Sequence, residues 1–219
     1  MNEARLAILS RLRSATEACG VTDAEPCPSS AFPGSPAPPE PVRPFLPEGD
    51  PGEYFIAKLT AVAAEATRVP GLAQVPDAVI RYLERHNLPR RLVASRDPIL
   101  DRIPWPDALT LRHGIAVDED QVAITGAFAA VAETGSLVLC ASEQTPATLN
   151  FLPENHIVVL ETGRIVPYLE DVWQRIPVAF PTWPRAIHFV TGPSRTADIE
   201  QTMQLGAHGP RRLMVMLVD

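Results

Sequence analysis

Cysteine is scarce in this sequence, with only Cys19, Cys27 and Cys140 among 219 residues. An odd number of cysteines at wide spacing excludes a disulfide framework, a zinc knuckle and the ligand run of an iron–sulfur cluster. The histidines and cysteines also lack the spacing of metal ligands. We therefore expect the chain to carry no metal, no cluster and no other cofactor of its own.

Long uncharged apolar runs are missing as well. None reaches the roughly 18 residues that a membrane helix needs. Charged residues at Glu3, Arg5, Arg11 and Arg13 interrupt the N-terminal apolar residues, which excludes the core of a signal peptide. These absences predict a cytoplasmic protein without a membrane span.

Positive charge is in the minority. Lys and Arg number 19 against 26 Asp and Glu, a net charge of −7. No basic run is longer than Arg90-Arg91 or Arg211-Arg212, so the chain is expected to repel polyanions. Nucleic acid is excluded as a partner on this basis.

The common local signatures of cofactor and nucleophile sites are missing too. The sequence contains no GxGxxG, P-loop, GxSxG or CxxC motif. The sequence therefore lacks the usual motifs for nicotinamide binding, nucleotide hydrolysis, acyl transfer from a nucleophile elbow and dithiol chemistry.

Proline, by contrast, is abundant and concentrated in one segment. Ten of the 26 residues from Pro26 to Pro51 are proline, a density that is incompatible with a helix or a strand ladder. We predict an N-terminal helical arm over residues 1–20, a proline-rich connector without regular structure over 21–52, and one folded domain over 53–219.

The folded domain begins with a strong helix signal and continues as alternating elements. Asp50, Pro51 and Glu53 form an N-cap, a first-turn proline and an acid three residues after the cap. This helix is predicted to end before Pro70. The further predicted helices cover 76–88, 126–133, 167–176 and 195–206, and the predicted strands cover 91–95, 122–125, 136–141, 156–161, 186–192 and 212–218.

Several of these strands are continuous apolar runs, as expected when helices cover both faces of a parallel sheet. The predicted fold class is therefore α/β, a Rossmann-like layered sheet with helices on both faces.

Three stretches resemble the LUD-domain family and, within it, the lactate utilisation protein C group. They are Ala132–Leu139 (AETGSLVL), Pro153–Val159 (PENHIVV), and Thr191–Glu200 (TGPSRTADIE) followed by Leu205–Pro210 (LGAHGP). The resemblance implies that 53–219 is a LUD domain, with a fold similar to that of the sugar-phosphate isomerase and CoA-transferase group. It also implies membership of a three-component system that oxidises L-lactate to pyruvate, with two iron–sulfur oxidoreductases as companion proteins.

The segment Gly192 to Thr196 is the first candidate ligand site. It follows a predicted strand and opens a predicted helix, where Gly192, Ser194, Arg195 and Thr196 offer amides, hydroxyls and a guanidinium to a small carboxylate or phosphate. The structural alternative is that Ser194 or Thr196 only caps the helix.

Glu133, Thr134 and Gly135 form the second candidate site, at a predicted turn between a helix and a strand. Enzymes of the CoA-transferase fold place a nucleophilic glutamate ahead of a glycine, so Glu133 is a candidate catalytic nucleophile or base. The alternative interpretation is a glutamate held by backbone amides.

His208 is the third candidate, as an acid, a base or an anion contact. If residues 195–206 were one straight helix, Arg195 and His208 would lie about 20 Å apart. Both could then contact one ligand only if Gly206 broke the helix and the chain folded back, or if a second subunit supplied His208.

The residues thus support three functional hypotheses. The favoured one is an accessory subunit of the L-lactate-oxidising iron–sulfur system that binds a small anionic ligand. The others are an enzyme acting on a small anionic metabolite or a CoA thioester through Glu133, and a pure scaffold.

Overall fold

The computed structural model describes residues 10, 11, 14, 43–46, 48–196 and 204–219. The chain divides into two units, residues 1–42 and residues 43–219. In the first unit Ser10, Arg11 and Ser14 are helical, and the rest of the predicted arm and most of the predicted connector lie outside the described residues. The described connector residues 43–46 and 48–50 belong to no helix or strand.

The second unit contains twelve strands and five α-helices in its described part. The strands are β1 (Glu65–Val69), β2 (Arg91–Ala94), β3 (Thr110–His113), β4 (Val122–Gly126), β5 (Ala129–Val131), β6 (Ser136–Cys140), β7 (Asn155–Glu161), β8 (Ile165–Val166), β9 (Ile187–Val190), β10 (Arg195–Thr196), β11 (Gln204–Leu205) and β12 (Arg212–Val218). The helices are α1 (Pro51–Ala61), α2 (Val75–Arg85), α3 (Pro98–Asp101), α4 (Thr148–Phe151) and α5 (Leu169–Ala179).

Six strands form one parallel sheet in the order β1–β12–β7–β4–β2–β3. Every residue of β4 is buried, as are all but the last residue of β7 and all but the first of β12. Burial on both faces explains why these strands are uninterrupted apolar runs. The predicted α/β class with a layered parallel sheet is confirmed.

Different elements cover the two faces of this sheet. On one face α2 and α3 pack through residues such as Val79, Leu83 and Ile99. On the other face α1, through Phe55 and Leu59, shares a core with a second sheet. This second sheet has the order β8–β5–β6–β9 and contains both parallel and antiparallel pairs.

The predicted start of α1 is confirmed, but its predicted end is wrong. The Asp50 side chain accepts a hydrogen bond from the Gly52 amide at the N-terminus. The helix ends at Ala61 instead of before Pro70, since Ala63 has a left-handed φ of 64°. The following residues form β1, which pairs with β12 and so gains a full ladder of hydrogen bonds.

The predicted small-residue helix over 126–133 is also wrong. Gly126 ends β4, and Ala129–Val131 form β5, which pairs with β6 on one side and β8 on the other. Alanine is well tolerated in a helix, so the local preference favours one. Pairing with β6 in a hairpin and with the more distant β8 overrides that preference here.

The predicted helix over 195–206 is wrong at both ends. Arg195 and Thr196 form β10, which pairs antiparallel with Gln204 and Leu205 in β11. Residues 197–203 lie outside the described residues.

In the described part of the chain, no helix is long and apolar enough to cross a bilayer.

Candidate functional site

A cavity of about 520 Å³ opens at the carboxyl ends of neighbouring strands of the parallel sheet. Residues that end or follow β2, β4 and β7 line it. From β2 the chain continues to β3 on one side, whereas from β4 it continues by way of the second sheet to β7 on the other side. The cavity therefore lies at the topological switch point of the sheet, the place where open α/β sheets bind ligands. We call it the switch-point cavity.

Polar and apolar side chains both line the cavity. The polar lining residues are Arg96, Asp97, Thr125, Ser142, Gln144, Thr145, Asn150 and Arg164, and the apolar ones include Phe128, Leu139 and Phe180. The rings of Phe128 and Phe180 pack against each other with centroids 5.2 Å apart. The volume and the aromatic lining are those of a small-molecule site, and the many polar groups favour a polar ligand.

Two arginines, Arg96 and Arg164, line the cavity. Arg164 is held in place, because its Nε donates to Glu161 and its Nη1 donates to the Ala127 carbonyl at 2.8 Å. Arg96 is exposed, and its guanidinium has no hydrogen-bond partner in the described part of the chain. A fixed and a free guanidinium on one cavity favour an anionic ligand.

Asn150 adds an unpaired polar group to the same cavity. It is buried, with 6% of its surface exposed, on the short helix α4. Its carboxamide makes no hydrogen bond within the described residues. It can therefore bond with solvent or with a ligand in the cavity.

The single carboxylate lining the cavity belongs to Asp97. Its Oδ1 accepts a hydrogen bond from the Ile99 amide and so caps the N-terminus of α3. Asp97 thus serves the helix N-terminus, and Arg164 is ion-paired with Glu161, so Arg96 carries the positive charge at the cavity that no described carboxylate pairs with.

Cys140 also lines the cavity, but burial raises the pKa of its thiol to about 11. The thiol is therefore protonated at neutral pH and is a poor nucleophile.

A buried histidine contacts Thr125, one of the residues that line the cavity. Thr125, with 2% of its surface exposed, places its Oγ1 2.8 Å from Nε2 of His156 on the adjacent strand β7. Burial lowers the pKa of His156 to about 4, so the ring is neutral at physiological pH. Nδ1 of the same ring is buried and has no hydrogen-bond partner among the described residues.

The residues predicted from the sequence lie elsewhere. Glu133 follows β5, not a helix, and its Oε1 accepts a hydrogen bond from the Leu169 amide at the start of α5. This contact favours the structural interpretation of Glu133 that the sequence left open. Thr134 donates to the Ser136 hydroxyl, which is 2.7 Å from the hydroxyl of Thr191.

Gly135, Gly192 and Arg195 meet at the carboxyl end of α1. A Cβ at Gly192 would lie 2.9 Å from Cγ2 of Val62, and Arg195 Nη2 donates to the Val62 carbonyl at 2.7 Å. An arginine at this end of a helix complements its partial negative charge. The structure thus gives Arg195 a capping contact at the end of a helix rather than a place at the start of one.

Ser194 and His208 do come together, because the chain folds back at the β10–β11 pair. The His208 amide donates to Ser194 Oγ at 3.3 Å, and the Ser194 amide donates to the Pro210 carbonyl. Thr196 is buried in β10 opposite Gln204. The His208 side chain is exposed, and none of these predicted residues lines the switch-point cavity.

The cavity residues were missed because each is unremarkable in its own sequence context. Two signals in the sequence could have found them: an Asp-Pro pair that follows the end of β2 after two intervening residues, and a Thr-Gly pair at the end of β4. Each marks the carboxyl end of a parallel strand.

In the described ranges no group of three His, Cys, Asp or Glu side chains is arranged to hold a metal ion.

Comparison with known proteins gives matches to a family model, to curated relatives and to a solved structure. Residues 116–218 match the model of the LUD domain. The lactate utilization protein C of an Exiguobacterium strain is 33% identical over 158 residues, which cover 67% of this chain and 68% of that protein. The lactate utilization protein C of Geobacillus thermodenitrificans is 29% identical over 121 residues, which cover 52% of this chain and 49% of that protein.

A Neisseria meningitidis protein is 32% identical over 94 residues, which cover 43% of this chain and 40% of that protein. The chain thus spans half or less of the length of the Neisseria and Geobacillus relatives. Among solved structures, a DUF162 family protein from Deinococcus radiodurans has the same fold, with a TM-score of 0.59 and 20% identity. That match covers 80% of this chain and all of the other.

Proposed function

Since this chain belongs to the LUD-domain family, we propose that it serves in lactate utilisation as an accessory subunit that binds a small carboxylate or phosphate in the switch-point cavity. The name of its relatives supports the lactate-related role, and the chemistry of the cavity supports the anion. The resemblance to the family implies iron–sulfur companion proteins, and this proposal assigns the redox centres to them. The three cysteines of this chain are too few and too scattered to hold a cluster.

The observation that supports the anion is that Arg96, whose guanidinium has no partner among the described residues, lines one cavity with Arg164 and Asn150. Guanidinium groups bind carboxylates and phosphates through charge-assisted hydrogen bonds. Glu133 is assigned no catalytic role in this proposal, because its carboxylate is hydrogen bonded to the start of α5.

Replacing Arg96 by alanine is expected to weaken anion binding about tenfold, the effect of losing one charge-assisted hydrogen bond. Titration calorimetry of the full chain with lactate, pyruvate and inorganic phosphate measures this change. Arg185→Ala is the matched control, since Arg185 is also exposed but does not line the cavity. Equal losses in the two variants, or no binding of any of the three anions by the parent chain, contradict the proposal.

The accessory role makes a separate prediction about activity. We expect the chain alone not to oxidise L-lactate, and the iron–sulfur companion proteins to form pyruvate from lactate only when this chain is added. Reconstitution with and without the chain tests this. Analysis of the iron and zinc content of the chain after anaerobic purification tests whether it holds a metal. Lactate oxidation by the chain alone, full activity without it, or one equivalent of tightly held metal each argues against an accessory, cofactor-free subunit.

A further inference from the structure

The hydrogen bond between His156 and Thr125 has a direction that the structure constrains. The fully buried ring has one nitrogen, Nε2, at 2.8 Å from Thr125 Oγ1 and a second, Nδ1, with no partner. A hydroxyl can donate or accept in such a contact. The tautomer of the ring therefore decides which way the Thr125 hydrogen points.

The two neutral tautomers leave different groups unpaired. With the proton on Nδ1, a buried N–H donor has no acceptor, which is a rare arrangement in folded proteins. With the proton on Nε2, the ring donates to Thr125 and only an acceptor lone pair of Nδ1 stays unpaired. Free histidine also prefers this second tautomer. The Nε2–H form is therefore the more favourable one at this site.

A donor at His156 fixes the role of the threonine. Once Thr125 Oγ1 accepts from Nε2, its own hydrogen must find another acceptor. No other hydrogen bond of this hydroxyl exists in the described part of the chain, and Thr125 lines the switch-point cavity. The hydrogen is therefore available to a ligand in the cavity.

We propose that His156 is a positioning residue that holds Thr125 as a hydrogen-bond donor toward the cavity, so that Thr125, Arg96 and Arg164 together select an ionised oxyanion over a neutral group of the same shape. This inference rests on the proposed anion-binding function and specifies the ligand chemistry of that site. A carboxylate or phosphate oxygen accepts from all three groups, whereas the NH₂ group of a carboxamide does not accept from any of them.

The tautomer is measured directly on the native full chain. Two-bond ¹H–¹⁵N correlation spectra of ¹⁵N-labelled protein at pH 7 distinguish a protonated ring nitrogen from an unprotonated one. We expect a protonated Nε2 and an unprotonated Nδ1 for His156, with the signal assigned by its loss in His156→Gln. A protonated Nδ1 overturns the inference whatever the chain binds.

The selectivity is measured by titration with inorganic phosphate, pyruvate and the neutral analogue pyruvamide. Thr125→Val removes the hydroxyl and is expected to weaken phosphate and pyruvate binding about tenfold, while Thr125→Ser retains it and stays within about twofold of the parent. Tighter binding of pyruvamide than of pyruvate, or equal affinities of Thr125→Val and the parent, overturns the inference. If the parent binds neither anion, the proposed function fails, and ligand selection fails with it. The spectra still decide whether His156 donates to Thr125.

Discussion

Replacing Gly135 by alanine is expected to destabilise the protein by about 3 kcal/mol, the sum of an unfavourable backbone and an overpacked contact. Gly135 has a φ of 69°, a left-handed conformation that side chains disfavour. A Cβ there would lie 2.7 Å from the Cβ of Lys58 and 2.9 Å from the backbone amide of Leu59 on α1. Helix backbone cannot shift to relieve this contact without disturbing the core beneath it.

Urea unfolding of the parent and the Gly135→Ala variant measures this loss. The control is Gly163→Ala, because a Cβ at Gly163 has no atom within 4 Å, and its stability is expected to stay within about 0.5 kcal/mol of the parent. The result also bears on the predicted ligand role of Gly135. A stable Gly135→Ala protein would show that the close approach to α1 is dispensable and would leave Gly135 available for a ligand.

Acidification from pH 7 to pH 5 is expected to remove about 2 kcal/mol of stability through His156 alone. The folded chain keeps this ring neutral, with a pKa lowered to about 4 by burial, whereas in the unfolded chain the histidine titrates near 6.5. Below pH 6.5 the unfolded state therefore binds a proton that the folded state does not. Stability falls as pH drops from 6.5 to 4, and this contribution is constant below pH 4, where both states are protonated.

Comparison with His156→Gln isolates this effect from the other titrating groups. The variant removes the titration and keeps an NH₂ donor that can reach Thr125. We expect the free energy of unfolding, measured in urea at pH 7 and pH 5, to fall by about 2 kcal/mol more in the parent than in the variant. Burial also lowers the pKa of His188, but that residue is present in both proteins. Parallel pH profiles for the two proteins would contradict the assignment.

The sequence by itself determined the elements whose signals are local. The α/β class followed from continuous apolar runs such as those of β4, β7 and β12, because only strands buried on both faces favour that pattern. The start of α1 followed from Asp50, Pro51 and Glu53, which act within a single turn of helix. The family resemblance followed from three motifs that can be read directly from the sequence.

Tertiary structure alone decided the elements that depend on distant partners. The alanines of β5 lie in the interior of a sheet because β8, more than 30 residues later in the chain, pairs with their second edge, and Arg195 caps α1 through a carbonyl 133 residues away. The switch-point cavity is the clearest case, because Arg96 and Arg164 lie far apart in the chain. Both line one cavity because the order of the strands brings the carboxyl ends of β2, β4 and β7 to one edge. A local sequence pattern does not encode strand order.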